Sequence, residues 1–226
     1  KEEDLTINPD KLINFCKENN ARGLIFSNPC NPTSIGLDKK SVHKIIESLD
    51  DCLVILDEAY MDFWDQSILK DVSKYSNLII LKTCSKAIGM AAVRFGFAVS
   101  CKTITNAIRA AKSPYNNDSV SQTIVTDILS EKEYLQGRKE KIIKNTKELY
   151  NSFVNFQNKY KYFECIYPTN TNFLFIKTDK YDQIYNYMLE NSIAIRKFNG
   201  YLRITAGTDE ENRILMEVME KCVQQL

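Results

Sequence analysis

The sequence predicts an α/β fold in which a large domain with a mostly parallel sheet precedes a smaller α+β domain. In the first half, short apolar runs alternate with stretches of helical spacing, which is typical of a parallel sheet covered by helices. After Gln157 the composition changes, and short strands are mixed with helices. We therefore expect a large domain over residues 1–130, a bridging helix over 131–157 and a small C-terminal domain over 158–226.

The elements of the large domain follow in chain order. Asn8 and Pro9 predict a helix that runs to about Asn19, because Pro is tolerated at the first helical position. Apolar runs then predict four strands, at 24–27, 53–56, 78–82 and 95–99. Helical spacing predicts helices near 38–49 and 103–112.

The second half begins with a long helical stretch, from about Ser119 to Gln157. Within it, Gly137 and the charged residues 131–133 indicate a break between two helices. Beyond it we expect strands at 162–166, 172–177 and 202–205, and helices near 180–190 and 209–224.

Composition excludes several functional classes. The 226 residues include 30 basic and 29 acidic residues, a balance that offers no general attraction to nucleic acid or to an anionic membrane. Seven Cys without a C-x-x-C pair predict free thiols in a reducing compartment, hence a cytoplasmic protein. A single His makes a Ser-His-Asp triad or a His-rich metal site improbable, and we predict no metal site.

The most informative stretch surrounds Lys86, directly after the strand predicted at 78–82. Thr83 and Ser85 lie beside this Lys, and Arg94 follows eight residues later. An amine can form an imine with an aldehyde, while hydroxyls and a guanidinium can hold a phosphate. Taken alone, Lys86 is more simply explained as one of 30 surface charges. Two further segments favour the functional interpretation.

The second segment is an apolar run that ends in Asp57, with Tyr60 three residues later. A carboxylate at the end of a buried strand either caps the next helix or faces a ligand at the carboxyl edge of the sheet. The third segment, residues 24–36, runs from a short strand into two Asn-Pro pairs. Asn and Pro favour a turn, and the fixed φ of Pro stiffens it, so that Asn31 can be held against a ligand oxygen.

Together these segments resemble the fold-type I aminotransferases of class I/II, which use pyridoxal 5′-phosphate (PLP). The motifs occur in the family's order: Asn-Pro-Cys-Asn-Pro-Thr at 28–33, Asp-Glu-Ala-Tyr at 57–60, Ser85-Lys86 and Arg94. The segment 201–208, with its Leu-Arg-Ile-Thr-x-Gly-Thr pattern, and Asn172 in the preceding strand are similar to the histidinol-phosphate aminotransferases. The resemblance implies a PLP-dependent transferase fold, a homodimer and a role in histidine biosynthesis.

The resemblance also implies roles for individual residues in the cofactor site. Lys86 would bind the PLP aldehyde and move the substrate proton, and Asp57 would pair with the pyridine nitrogen. Tyr60 and Asn31 would hydrogen-bond the ring's 3-oxygen. The phosphate would be bound by three side chains: Thr83, Ser85 and Arg94.

Substrate binding is assigned by the same resemblance to residues near the C-terminus. Arg203 would bind the carboxylate of the amino acid or 2-oxo acid, a task that suits its planar fork. Arg196 would help hold the substrate phosphate, and Asn172 would also contact the substrate. Without a ligand, Arg196 and Arg203 would be explained as ion pairs at a strand edge. We expect Arg203 to come from the small domain and Lys86 from the large one, with substrate binding closing the cleft.

One part of the family pattern is missing. The family carries a long stretch before the Asn-Pro loop, including a backbone loop for the phosphate and a ring that stacks on the pyridine, and this chain begins shortly before that loop. We therefore expect exposed core and unpaired strand edges, and doubt that the chain alone is a stable, active enzyme.

Three alternatives to an aminotransferase stay open. A PLP-dependent amino-acid-phosphate decarboxylase would share Lys86, Asp57 and Arg94. A nucleotide-binding α/β module is disfavoured, because the chain has no G-x-G-x-x-G or Walker loop. A non-catalytic fragment or binding protein would keep the motifs without the chemistry.

Overall fold

The computed structural model describes residues 4–225, in which the chain forms seven α-helices, eight β-strands and three short 3-10 helices. The α-helices are α1 (Pro9–Glu18), α2 (Lys39–Ser48), α3 (Lys102–Ala111), α4 (Ser119–Ser130), α5 (Lys132–Tyr160), α6 (Tyr181–Glu190) and α7 (Asp209–Gln225). The strands are β1 (Gly23–Ser27), β2 (Leu53–Asp57), β3 (Leu78–Thr83), β4 (Gly96–Ser100), β5 (Cys165–Ile166), β6 (Phe173–Lys177), β7 (Arg196–Phe198) and β8 (Tyr201–Thr205). The 3-10 helices are Met61–Phe63, Leu69–Lys74 and Ala91–Val93.

The chain divides into two compact units. Unit 1 contains the described residues up to Cys30 together with Gly36–Lys139. Unit 2 contains Asn31–Ile35 and the described residues from Glu140 onward. The boundary between Lys139 and Glu140 falls inside α5. None of the helices between residues 4 and 225 has the length and apolar character that a membrane crossing requires.

Unit 1 is built on a four-stranded sheet with the order β1-β2-β3-β4. The first three strands pair in parallel, with Ser27 opposite Asp57 and Asp57 opposite Leu81. The fourth strand runs antiparallel and places Gly96 opposite Thr83. Because parallel strands end at the same edge of a sheet, the residues that follow β1, β2 and β3 lie along one carboxyl edge.

One face of this sheet is packed against helix α2. Val54, Leu56, Leu78 and Ile80 alternate with less buried residues and form a core with Val42 and Ile46 of α2 and with Ile68. The alternation follows from the two-residue period of a strand. At Ile25 of β1, 70% of the residue surface is exposed, and at Phe97 of β4, 40% is exposed. Apolar surface is therefore exposed on both outer strands of this unit.

Unit 2 contains an antiparallel sheet with the order β5-β6-β8-β7. Its core combines apolar residues of β6 and β8 with the inner faces of α5, α6 and α7. Phe153 of α5 is completely buried in that core and packs 5.9 Å, centroid to centroid, from Phe163. Mixed strands and helices of this kind are the α+β arrangement expected from the sequence.

Most of the predicted elements are confirmed within one or two residues. Asn8 caps α1 by accepting a hydrogen bond from the Lys11 N–H to its side-chain oxygen, and Pro9 is the first helical residue. The break between the two long helices lies at Glu131, but Gly137 lies inside α5, so the prediction that it marks the break is wrong. A Gly in an exposed helix interior costs only about 1 kcal/mol, which the packing of so long a helix tolerates.

The strand predicted at 162–166 is largely wrong, since only Cys165 and Ile166 pair with β6. The physical reason lies in the Gln157 side chain. Its amide accepts from the Phe163 N–H at 2.8 Å and donates to the Phe163 carbonyl at 2.7 Å. Both backbone groups of Phe163 are thus engaged by a side chain, and the ladder begins after it. Strand β7 and the three 3-10 helices were not predicted.

Replacing Phe153 with Ala should lower the free energy of unfolding by about 3–5 kcal/mol, because it leaves a cavity in the core of unit 2. Ile143→Ala on the same helix is the matched control, since Ile143 is 38% exposed, and should cost about 1 kcal/mol or less. Urea unfolding followed by circular dichroism measures both. Equal losses in the two variants would contradict the assignment of this core.

Candidate active site

Asp57 is the last residue of β2 and lies at the carboxyl edge of the unit 1 sheet. Its side chain is half-buried, and Oδ1 accepts a hydrogen bond from the Ala59 N–H at 2.9 Å. The hydrogen bond stays within the turn that follows the strand and fixes the orientation of the carboxylate. Of the two alternatives left open by the sequence, capping of a helix does not apply directly, because the element after Asp57 is the short 3-10 helix Met61–Phe63, whose N-cap is Tyr60.

Tyr60 and Lys86 approach each other at this edge. Tyr60 is buried in the turn after β2, whereas Lys86 is exposed in the turn after β3. The Lys86 Nζ lies 5.2 Å from the centroid of the Tyr60 ring, within the range of a cation–π contact. The structure therefore brings together a phenol and an amine that are 26 positions apart in the sequence.

The hydroxyl and guanidinium side chains predicted to bind the phosphate lie along the turn that carries Lys86 in unit 1. Thr83 ends β3, and its Oγ1 accepts a hydrogen bond from the Ser85 N–H at 3.1 Å. Arg94 has a left-handed backbone, with φ of 57°, and its guanidinium donates to the Ala91 carbonyl at 2.8 Å. The turn is closed by two backbone hydrogen bonds, Met90 N–H to the Cys84 carbonyl and Cys84 N–H to the Phe95 carbonyl. Arg94 is exposed in this turn.

In unit 2, Arg203 is held by two neighbours. Its guanidinium donates a hydrogen bond of 2.6 Å to Asn31 Oδ1 and lies 4.8 Å from the centroid of the Phe173 ring. Asn31 itself belongs to a segment that is anchored in this unit, because the Ser34 carbonyl accepts from the Asn170 N–H. The Asn31–Arg203 hydrogen bond was not predicted from the sequence, which assigned Asn31 only to the cofactor.

Two arginines face each other across neighbouring strands of unit 2. Arg196 of β7 is the register partner of Arg203 of β8, and Arg196 is exposed. Like charges in directly opposite positions of a sheet are destabilising. A bound anion would relieve that repulsion, so this pair is suited to a negatively charged ligand. Asn172, the third predicted substrate residue, is half-buried beside β6, and its carbonyl accepts from the Ala206 N–H at 3.0 Å.

Sequence reasoning missed the function of Asn28 and Gly36 in shaping the Asn-Pro loop. Asn28 is buried, and its amide donates to the Leu37 carbonyl at 3.0 Å and accepts from the Leu37 N–H at 2.7 Å, which closes the loop. A Cβ at Gly36 would lie 2.2 Å from the Trp64 ring, so only Gly fits there. Both Asn-Pro peptide bonds, at 28–29 and 31–32, are cis.

Glu58 is a third residue that sequence reasoning left without a function. It is completely buried, and its carboxylate accepts hydrogen bonds from the Ser67 hydroxyl at 2.7 Å and from the Ile68 N–H at 3.2 Å. Lys82 Nζ lies 3.9 Å from the same carboxylate. Burial raises the pKa of Glu58 above its ordinary value, although these three partners oppose the shift. The signal was present in the sequence, since Glu58 continues the every-second-residue pattern of Val54 and Leu56.

No metal centre or disulfide is found in the described part of the chain. Between residues 4 and 225, no three His, Cys, Asp or Glu side chains lie together in an arrangement that would hold a metal ion. All seven Cys are free thiols, and burial raises the pKa of Cys84, which lies beside Ser85. A raised pKa makes Cys84 a poor nucleophile.

The family to which the chain belongs is shown by comparison with known proteins. The sequence model of the family described as "Aminotransferase class I and II" matches residues 1–219. The chain is a member of the class I and II aminotransferase family. The motifs at 57–60 and 83–96 both lie within the matched residues.

Individual relatives of this aminotransferase-family chain carry a more specific name. The chain is 36% identical to the histidinol-phosphate aminotransferase of Clostridium kluyveri, an alignment that covers 99% of this chain and 63% of that protein. It is 32% identical to the enzyme of the same name from Pyrococcus furiosus, with 97% of this chain and 62% of the relative covered. The chain therefore spans less than two thirds of the length of these relatives.

Solved structures share the fold of this family member. The histidinol-phosphate aminotransferase from Clostridium acetobutylicum superposes with a TM-score of 0.90 at 20% identity, over 100% of this chain and 70% of that one. The Sinorhizobium meliloti enzyme, solved in complex with pyridoxal-5′-phosphate, gives a TM-score of 0.83 at 19% identity, over 96% and 62% of the two chains. These likenesses confirm the predicted fold of PLP-dependent transferases.

The stability contributed by Glu58 should depend on pH. The ordinary pKa of glutamate is 4.5, and the folded-state pKa is raised, so the folded protein binds the proton more tightly than the unfolded chain. Relative to Glu58→Gln, the wild type should therefore lose stability as the pH rises from about 4.5 through the raised folded-state pKa, and change no further above it. Urea unfolding of both proteins over a pH series measures the difference.

Glu211→Gln provides a control of opposite sign. Hydrogen bonds from the Thr208 N–H and hydroxyl lower the pKa of Glu211, so the wild type should gain stability relative to this variant as the pH rises. The stability of the wild type relative to Glu58→Gln could instead be independent of pH, or rise with pH as for Glu211. Either result would contradict the burial of an ionisable Glu58.

Proposed function

We propose that the full-length protein is a PLP-dependent aminotransferase that transfers an amino group between histidinol phosphate, or a related amino acid, and a 2-oxo acid such as 2-oxoglutarate. The observation that carries the proposal is the approach of Lys86 Nζ to the Tyr60 ring, at 5.2 Å, on the edge where Asp57 ends its strand. Family membership and the names of relatives at 32–36% identity support it.

The donor set in unit 1 fits PLP by its chemistry. The cofactor carries an aldehyde, a basic ring nitrogen, a phenolic oxygen and a phosphate. Lys86 provides an amine for the aldehyde, and Asp57 a carboxylate for a protonated ring nitrogen. Tyr60 provides a hydroxyl for the ring oxygen. The hydroxyls of Thr83 and Ser85 and the guanidinium of Arg94 provide donors for the phosphate.

The residues of unit 1 would have separate roles in catalysis. Bound PLP acts as an electron sink that makes the α-proton of the amino acid acidic. Lys86 Nζ would hold the cofactor between turnovers, accept the α-proton and deliver it again as a general acid. Asp57, oriented by the Ala59 N–H, would keep a proton on the ring nitrogen by its negative charge. The exposed position of Lys86 is compatible with a mobile proton carrier.

The two arginines of unit 2 would recognise the substrate by its charges. Arg203, held by Asn31, presents a guanidinium of fixed orientation, which suits bidentate binding of the carboxylate shared by amino and 2-oxo acids. Arg196, exposed and opposite Arg203, would bind a second negative group. Two guanidinium groups on neighbouring strands would therefore suit the carboxylate of a 2-oxo acid and also the phosphate of an amino donor such as histidinol phosphate, which carries no carboxylate.

We further propose that the protein works in the cytoplasm as a homodimer. The seven free thiols support a reducing compartment. The dimer is supported by the family resemblance of the motifs.

Lys86→Ala in the full-length protein should abolish covalent attachment of PLP. Borohydride reduction of the wild type incubated with PLP should fix the cofactor mass on the peptide that contains Lys86, as mass spectrometry of a digest would show. Lys44→Ala, which removes an exposed lysine of α2, should leave that adduct unchanged. An adduct on a different lysine, or one that survives in Lys86→Ala, would refute the assignment.

A PLP-dependent decarboxylase is the alternative with the same donor set. The L-threonine-O-3-phosphate decarboxylase from Porphyromonas gingivalis superposes with a TM-score of 0.73 at 21% identity, which shows a shared fold only. Because the relatives with higher sequence identity are aminotransferases, we expect the full-length protein to form glutamate from 2-oxoglutarate and histidinol phosphate without releasing carbon dioxide. Release of carbon dioxide from a phosphorylated amino acid, without amino transfer, would favour the decarboxylase.

A further inference from the structure

The proposed chemistry leaves unused a fully buried carboxylate directly beside Asp57. Along residues 53–60, buried and less buried residues alternate, and Glu58 lies on the same side as Leu56, which belongs to the core packed against α2. An acidic side chain among apolar residues costs considerable free energy unless its oxygens accept hydrogen bonds. The partners of Glu58 are therefore informative about its function.

The first partners close the segment that carries Tyr60. Glu58 is the first residue after β2, and its carboxylate accepts from the Ser67 hydroxyl and the Ile68 N–H, nine and ten residues later. The Glu58 carbonyl also accepts from the Met61 N–H at 3.0 Å. The two ends of the segment 58–68 are thus fixed to each other, and Tyr60 lies between them.

The third partner extends the network to β3. Lys82 is 17% exposed at its side chain, and its Nζ lies 3.9 Å from Glu58 Oε2 and 2.7 Å from Asp62 Oδ1. Lys82 directly precedes Thr83, after which the chain turns to Lys86. The Glu58 N–H donates to the Leu81 carbonyl at 2.9 Å, which joins the same two strands through the backbone.

We propose that Glu58 and Lys82 are positioning residues that hold Asp57 and Tyr60 at a fixed distance from the turn after β3, which carries Lys86. The inference rests on the proposed function and deepens it, because it concerns the same site. The two residues lie directly next to Asp57 and Thr83 in the sequence, so a shift of either alters the place of a cofactor ligand. Misplacement by about 1 Å is enough to weaken a preorganised site.

A contribution to stability alone explains the network less well. Buried ion pairs are often no more stabilising than apolar residues of similar size, because removing two charges from water costs as much as their attraction returns. A core that needed only stability would be served by a residue such as Leu at position 58. The placement of the network between two strand ends that carry cofactor ligands favours positioning.

The test uses four variants of the full-length protein. Glu58→Leu keeps the volume and removes both acceptors, whereas Glu58→Gln keeps an acceptor and is the conservative replacement. Lys82→Met keeps the aliphatic stem and removes the cation. Ser67→Ala removes a single hydrogen-bond donor to Glu58, and it tests the same network if a Glu58 variant does not fold. Two quantities are measured for each: the dissociation constant of PLP by fluorescence titration, and the thermal midpoint of the cofactor-free protein.

We expect Glu58→Leu and Lys82→Met each to weaken PLP binding about tenfold or more, the usual effect of losing a residue that orients a ligand. The absorbance maximum of the bound cofactor should shift in both. Glu58→Gln should restore most of the affinity. The double variant Glu58→Leu/Lys82→Met should bind PLP no more weakly than the single variant with the lower affinity, because both residues act through one network. Lys44→Met, which breaks the exposed Lys44–Asp10 pair, is the matched control and should bind PLP like the wild type.

The outcomes separate this inference from the proposed function. If the variants lower only the thermal midpoint, while the folded protein binds PLP with unchanged affinity and absorbance, the residues are merely structural and the inference is overturned. If the wild type takes up PLP on Lys86, the proposed function stands in either case. If the wild type takes up no PLP, the proposed function fails, and this inference fails with it.

Discussion

The parallel pairing of β1, β2 and β3 is the constraint on which the candidate active site depends. In a parallel sheet, strands that are far apart in the chain end at the same edge. The register of Ser27 with Asp57 and of Asp57 with Leu81 brings the segments after β2 and β3 together. The carboxylate, the phenol and the amine of unit 1 then need only short turns to lie close to one another. A slip of register by one residue would turn Asp57 to the opposite face of the sheet.

The turns that follow these strands fix the orientation of a few side chains at this edge with local hydrogen bonds. Asp57 is oriented by Ala59, and Thr83 accepts from the Ser85 N–H. The buried Glu58 carboxylate anchors the segment that carries Tyr60. In unit 2, Asn31 fixes Arg203 in a comparable way. Polar side chains in both units are thus held by neighbours that do not themselves react.

The sequence was sufficient to predict the strands of the unit 1 sheet and the long helices, because these depend on local pattern. Short apolar runs predicted β1, β2 and β3 within one residue of their observed ends. The strand expected at 162–166 failed, since the Gln157 side chain takes both backbone groups of Phe163, a contact that no periodicity reveals. The pairing of Asn31 with Arg203, 172 positions apart, and the opposition of Arg196 and Arg203 required the three-dimensional structure.

In the proposed function, Lys86 and Asp57 hold one molecule of PLP at the carboxyl edge of the unit 1 sheet. An electron-density map of the full-length protein crystallised with PLP tests it most directly. We expect continuous density from Lys86 Nζ to the cofactor, with the Asp57 carboxylate within hydrogen-bonding distance of the ring nitrogen. Lys86 Nζ in solvent, with the cofactor absent or bound away from Asp57, would contradict it.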